Sequence, residues 1–172
     1  MGLDIRVYNK LTAHPTELER DSEEYEQAGF LYFYVNPDFP GRAEGLDETQ
    51  GYTGERAFSF RVGGYGDHIA WREELAILAG YAQTITLESG QQLQQSSSAA
   101  AFSAEAGPFW ELICFSDCDG TIGPVISAKL AKDFKDFQSK ADAHPDSDFW
   151  EMYTNWRQAF EIAADNGMVR FA

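Results

Sequence analysis

Two carboxylates stand one residue apart in Phe115-Ser116-Asp117-Cys118-Asp119-Gly120-Thr121, directly after the apolar run Leu112 to Phe115. Carboxylates so spaced on a turn can divide the work of phosphoryl transfer. One attacks phosphorus, the other moves a proton, and a magnesium ion neutralises the charge between them. The same pair can instead accept backbone N–H bonds in a capped turn, with Gly120 supplying a positive φ. Spacing excludes a calcium loop, because glycine arrives too early and Ala128 stands where a closing glutamate belongs. The turn is the simpler assignment, and it leaves Asp117 and Asp119 open as ligand contacts.

Two further groups could recognise a ligand. Gly63-Gly64-Tyr65-Gly66-Asp67 is a glycine-rich turn ahead of a helix, and such turns present backbone N–H groups to phosphate. It lacks the lysine of a P-loop and the spacing of a dinucleotide fingerprint, and Asp67 repels an anion. Around it Tyr65, His68, Trp71 and Arg72 combine stacking planes with planar donors. Arg42 ends the rigid stretch Asn36-Pro37-Asp38-Phe39-Pro40-Gly41-Arg42, where it can grip a carboxylate or phosphate in bidentate fashion or pair with one of many acids. No Ser-His-Asp or Cys-His arrangement is visible, and Cys114 in an apolar run suits packing better than nucleophilic work. No catalytic residue, cofactor or metal ligand is assigned.

The aspartate pair resembles the nucleophile loop of haloacid-dehalogenase-like phosphatases, but its surroundings do not. Ser116 stands where that motif keeps an apolar strand residue, and 51 residues follow Thr121. They read as two helices and a terminal strand. The resemblance implies several later parallel strands bearing a Ser or Thr, a lysine and distal acids. A magnesium-dependent phosphohydrolase using Asp117 and Asp119 is therefore the third functional alternative.

The elements that must position these groups follow from period and punctuation. Leu3, Ile5 and Val7 alternate with Asp4, Arg6 and Tyr8 as in a half-buried strand. The acidic stretch Thr16 to Gln27 predicts a solvated helix or loop. Phe30 to Val35 predicts an aromatic strand ended by Asn36-Pro37, residues 37–54 a long structured loop, and Ala57 to Val62 another strand. A helix capped by Asp67 runs from Ile69 to about Ala79 and stops at Gly80. Thr84 to Leu87 is a short strand. Residues 88–107, rich in Ser, Gln and Ala, read as a flexible insertion whose alanines can join a helix. Pro108 to Ser116 is apolar enough to be buried and too short to assign by period; the apolar run that ends before Asp117 reads as a buried strand. Gly123-Pro124 opens one helix, Ser147 or Asp148 begins another that Asn166-Gly167 ends, and Met168 to Phe171 returns as a strand. The sum is one α+β domain over 1–172, a mixed or antiparallel sheet packed against about three amphipathic helices.

Charge narrows the partners. The chain carries 28 acidic and 13 basic residues, a net −15, which opposes direct binding to nucleic acid or an anionic membrane. No apolar run approaches a membrane span, and the N-terminus lacks a basic-then-apolar signal. Two cysteines four apart and three scattered histidines supply neither a disulfide framework nor a zinc set. The expectation is a cytoplasmic protein.

Four stretches together resemble a group of small proteins encoded by bacteriophages and prophages. They are Met1-Gly2-Leu3-Asp4-Ile5; Asn36 to Leu46; Trp71-Arg72-Glu73-Glu74-Leu75; and Gly107-Pro108-Phe109-Trp110-Glu111-Leu112 running into Phe115-Ser116-Asp117-Cys118 and Ile122-Gly123-Pro124. The resemblance covers most of the chain apart from the Ser/Gln/Ala segment. It implies a host-cell setting and supplies no catalytic residues. In that group the second aspartate position is often Glu and the Thr position varies, which a nucleophile loop would not readily tolerate. Small accessory phage proteins counter host defence as sponges for nucleotide-derived signals, or as acidic decoys and inhibitors of host proteins. The expectation is a non-catalytic binding protein of the host cytoplasm, able to form a homo-oligomer. It would hold a nucleotide-like small molecule between the Arg42 loop and the Tyr65–Arg72 turn. The alternative is an acidic inhibitor or decoy binding a host defence protein.

Overall fold

Alternation at the N-terminus sets the sheet. Leu3, Ile5 and Val7 are buried on one face of the first strand while Asp4 and Arg6 lie half-buried on the other. The computed structural model describes residues 2–172. Its first half comprises β1 (Gly2–Pro15), α1 (Glu23–Gln27), β2 (Gln50–Gly64), α2 (Tyr65–Ala79), β3 (Thr84–Thr86) and β4 (Gln92–Gln94). There follow α3 (Ser97–Ala104), α4 (Trp110–Ile113), β5 (Gly120–Ile122), α5 (Pro124–Asp136), α6 (Gln138–Asp142), α7 (Ser147–Ala163) and β6 (Met168–Phe171). The architecture is α+β in a single compact domain. Four strands in the order β2-β1-β6-β5 form a wholly antiparallel sheet, and β3 pairs with β4 as a separate hairpin. The last strand closes on the first, where Asp4 and Ala172 exchange reciprocal backbone bonds of 2.9 and 3.0 Å.

The main core lies on the inner face. Leu3, Ile5, Val7, Ile122, Val169 and Phe171 pack against Trp71 and Leu75 of α2, Leu130 and Phe134 of α5, and Tyr153, Trp156 and Phe160 of α7. Each large side chain buried there contributes about 1.5–3 kcal/mol. The helices start and stop for local reasons. Pro124 fills the first turn of α5, and Asp146 caps α7 by accepting Asp148 N–H at 2.8 Å. Gly80 ends α2 with φ +89°, a conformation that glycine reaches without steric cost.

Four expectations change. The cap of α2 is Gly64, and Asp67 lies in the first turn, its carboxylate accepting Gly64 N–H at 2.8 Å. Phe30 to Val35 joins no sheet. It runs across the outer face of the sheet as a strap, held by Leu31 N–H to Tyr52 O at 2.7 Å and Tyr34 N–H to Thr121 Oγ1 at 3.3 Å. Its apolar side chains build a second small core there, Phe33 with Tyr8, Leu11, Tyr52 and Met168. Leu112 to Phe115 is no strand either, because the main chain coils into the single turn of α4 and its carbonyls find side-chain donors instead of a ladder. Residues 88–107, read from composition as a flexible insertion, contain β4 and α3. Glu73 receives Ser97 N–H at 2.7 Å and Ser98 N–H at 2.9 Å, and Ala101 is fully buried.

Candidate functional site

The two arginines singled out from the sequence meet, but around the main chain. Arg72, on α2, donates to Ile113 O at 3.1 Å and Phe115 O at 2.8 Å, and it pairs with Asp117. Arg42 donates to Glu111 O at 3.0 Å and Cys114 O at 3.1 Å, with its guanidinium 4.3 Å from the Trp110 ring centroid. Both are buried. Together they bind four carbonyls between residues 111 and 115, at the end of α4, where helix carbonyls lack intrahelical partners. They serve the fold, and the expected pocket between the Arg42 loop and the Tyr65–Arg72 turn is replaced by this clamp.

The remaining sequence candidates disperse. His68 is fully buried, its ring beside those of Trp71 and Trp156 with centroids 6.4 and 5.9 Å away. Burial, and then the charge of Arg72, push its pKa down to about 3, and neither ring nitrogen has a hydrogen-bond partner among the described residues. It is a neutral core residue. Trp71 donates its indole N–H to Phe149 O at 3.4 Å and is also core, while Tyr65 is exposed at the start of α2. Asp117 is tied to Arg72, and Asp119 is exposed with its carbonyl accepting from Asn36 Nδ2 at 3.0 Å. Both aspartates precede β5, whereas a nucleophile loop follows a strand. Burial pushes the Cys114 thiol up to about 11, away from nucleophilic use. Among the described residues no group of three or more His, Cys, Asp or Glu side chains is placed to hold a metal ion.

The outer sheet face holds an arrangement the motifs did not indicate. Ser59, Arg6, Arg170 and Thr121 form one line of cross-strand partners over β2, β1, β6 and β5. Arg6 and Arg170 are therefore direct opposites, and like charges so placed destabilise a sheet. Arg170 lies over Tyr32 of the strap, 4.5 Å from the ring centroid. Burial, and then Arg6, hold its pKa below the usual arginine value, yet it stays protonated. Beside this pair Asp4, Arg6, Arg56, Ser59 and Arg61 line a groove of about 340 Å³. Arg61 approaches Asp4 at 3.5 Å; among the described residues Arg6, Arg56 and Arg170 form no ion pair. In a chain with 28 acids, three unpaired arginines on one face leave planar donors available for an anion from solution.

A second concavity has the opposite sign. Between α2 and the start of α7, a cleft of about 500 Å³ has Val62, Trp71, Phe149 and Met152 among its walls, with the carboxylates of Asp67, Glu74, Asp146 and Asp148 beside them. His144 stacks on Phe149 at 4.1 Å and stands 3.5 Å from Glu74.

No family model, curated protein or solved structure matches this chain, and the assignment rests on its own geometry. Alternation alone places Arg6 on the polar phase of β1, Ser59 and Arg61 on that of β2, and Arg170 on that of β6. The missing signal is register. Nothing local says that residue 6 faces residue 170.

Proposed function

We propose that this protein is a non-catalytic binding protein that captures a small phosphorylated anion on the outer sheet face, between Arg6 and Arg170 beside the arginine groove. The opposed pair Arg6 and Arg170 carries this reading. A locally unfavourable arrangement in an otherwise consistent sheet marks a site where function competes with stability. A phosphate between two guanidinium groups turns that repulsion into charge-assisted hydrogen bonds. The phage and prophage resemblance gives the capture a purpose, removal of a nucleotide-derived host signal without cleavage. Absence of cleavage is supported by the surroundings of the best nucleophile candidates, since Asp117 is held by Arg72 and Cys114 is a buried thiol. Net charge opposes the approach of any anion, so affinity must come from the arginines at short range.

Isothermal titration tests this with pyrophosphate, cyclic dinucleotides and cyclic ADP-ribose isomers. The expected result is heat from at least one of them, lost in Arg6→Gln/Arg170→Gln, with the ligand recovered intact. Silence across the whole panel removes the reading.

A second reading, an acidic inhibitor of a host protein, draws support from the cleft beside Trp71. A lysine or arginine from a partner would lay its stem on Trp71 and Phe149 and its charge among the four carboxylates. A host protein retained at low salt, and lost in Glu74→Gln/Asp148→Asn, is the result it requires.

A further inference from the structure

We propose that the β3–β4 hairpin is a self-association surface that takes a second copy of this chain. Among the described residues β3 and β4 pair only with each other, and all six of their residues are exposed. A lone two-stranded hairpin in water is marginally stable at best. This one sets Ile85 directly opposite Leu93, and cross-strand partners share a face. Leu87 follows two positions after Ile85. All three are 39% exposed. Phe102 of the adjoining α3 is 56% exposed; Gln95 N–H to Gln83 O at 2.7 Å continues the hairpin pairing, and Ser97 Oγ of α3 donates to Tyr81 O at 3.2 Å just before β3. Apolar surface and unpaired strand edges thus occur on the same element.

Charge selects the occupant. Residues 81–104 contain one charged side chain, Glu88, in a chain whose net charge is −15. Two copies repel each other through most other approaches, and this neutral region lets them meet at the least electrostatic cost. A basic partner finds a single carboxylate here to bind, and neither concavity described above is lined by a residue of the hairpin. The surface that complements a neutral, apolar, open-edged hairpin is the same hairpin turned about a two-fold axis. Antiparallel pairing of two identical edges is self-complementary and closes at two copies. The shortness of the strands limits further growth.

Sedimentation velocity over a range of protein concentrations tests this. The expected result is a species of twice the 19.3 kDa chain mass that dissociates on dilution and reverts to monomer in Ile85→Lys and Leu93→Lys. Added salt should maintain or tighten it, because salt screens repulsion between like-charged copies. An arginine-groove-to-acidic-cleft contact would weaken instead, and that result overturns the proposal. A chain that stays monomeric throughout, or a dimer indifferent to both lysine variants, also overturns it. If the lysine variants fail to fold, Glu88→Gln decides. Removal of the one carboxylate should move the monomer–dimer midpoint to lower concentration, and an unmoved midpoint overturns the proposal.

Discussion

Arg6 and Arg170 face each other in register across β1 and β6, two guanidinium groups on one sheet face with no carboxylate bound to either among the described residues. Their neighbours are a serine and a threonine in the same cross-strand line. The first prediction follows from their repulsion. Arg6→Gln should raise stability by about 0.2–1 kcal/mol in low-salt chloride buffer. Pyrophosphate should raise the melting temperature of the natural chain and leave that of the variant nearly unchanged. Thermal melts with and without pyrophosphate check both halves.

Arg72 and Arg42 should behave in the opposite way. Arg72→Met strands Ile113 O and Phe115 O without their donors, and Arg42→Met does the same to Glu111 O and Cys114 O. Each substitution should cost about 2–4 kcal/mol, the scale of buried acceptors losing a charged donor. Asp117→Asn should cost less than about 1 kcal/mol, because its side chain is 42% exposed and screened. Urea unfolding of the three variants gives the ranking. Hydrolysis of a generic phosphate ester should remain at background in the natural chain and in Asp117→Asn alike.

His68 makes a pH prediction. Its folded pKa is depressed to about 3 by burial, against an ordinary value of 6.5. Between those values the unfolded chain binds the proton and the folded chain does not. Stability therefore falls as pH drops below 6.5, by up to about 1.4 kcal/mol per pH unit from this group. His68→Phe keeps an aromatic ring beside Trp71 and Trp156 and removes that contribution. The variant should equal or exceed the natural chain in stability at neutral pH, with a margin that widens toward pH 4. Chemical denaturation at a series of pH values measures the difference in slope.

Glu73 reaches from α2 to the first turn of α3 and accepts three hydrogen bonds, from Ser97 N–H, Ser98 N–H and Ser98 Oγ. Glu73→Ala should loosen α3 by about 1–2 kcal/mol, as for loss of a helix cap. Hydrogen exchange should quicken in residues 97–104, with α5 and α7 unaffected.

The outline of the fold was legible because its signals are local. Alternation at Leu3, Ile5 and Val7 gives β1; Pro124 and Gly80 punctuate helices where the chain begins or ends them. Local signals failed where a distant partner decided the outcome. Phe30 to Val35 has strand composition, but its aromatic rings satisfy themselves on the outer face and only scattered backbone bonds are made. Leu112 to Phe115 could be either helix or strand by period, and two arginines from elsewhere in the chain stabilise the carbonyls of the helical form. The same long-range demand misled the choice of site residues. Arg42 and Arg72 look like ligand-gripping side chains until the carbonyls they hold are known, and Arg6 looks unremarkable until Arg170 stands beside it.

The reciprocal bonds between Asp4 and Ala172 make the described chain nearly a closed loop. Joining its two ends through a short linker and opening it at Ser89-Gly90, in the turn between β3 and β4, should yield a circular permutant with the sheet intact. Asp4 also lines the arginine groove, so residues appended after Ala172, its backbone partner, emerge beside the groove. An acidic tag there would compete with the anion, and a polyhistidine tag would recruit one. Affinity measured on a tagged chain would thus report the tag together with the site.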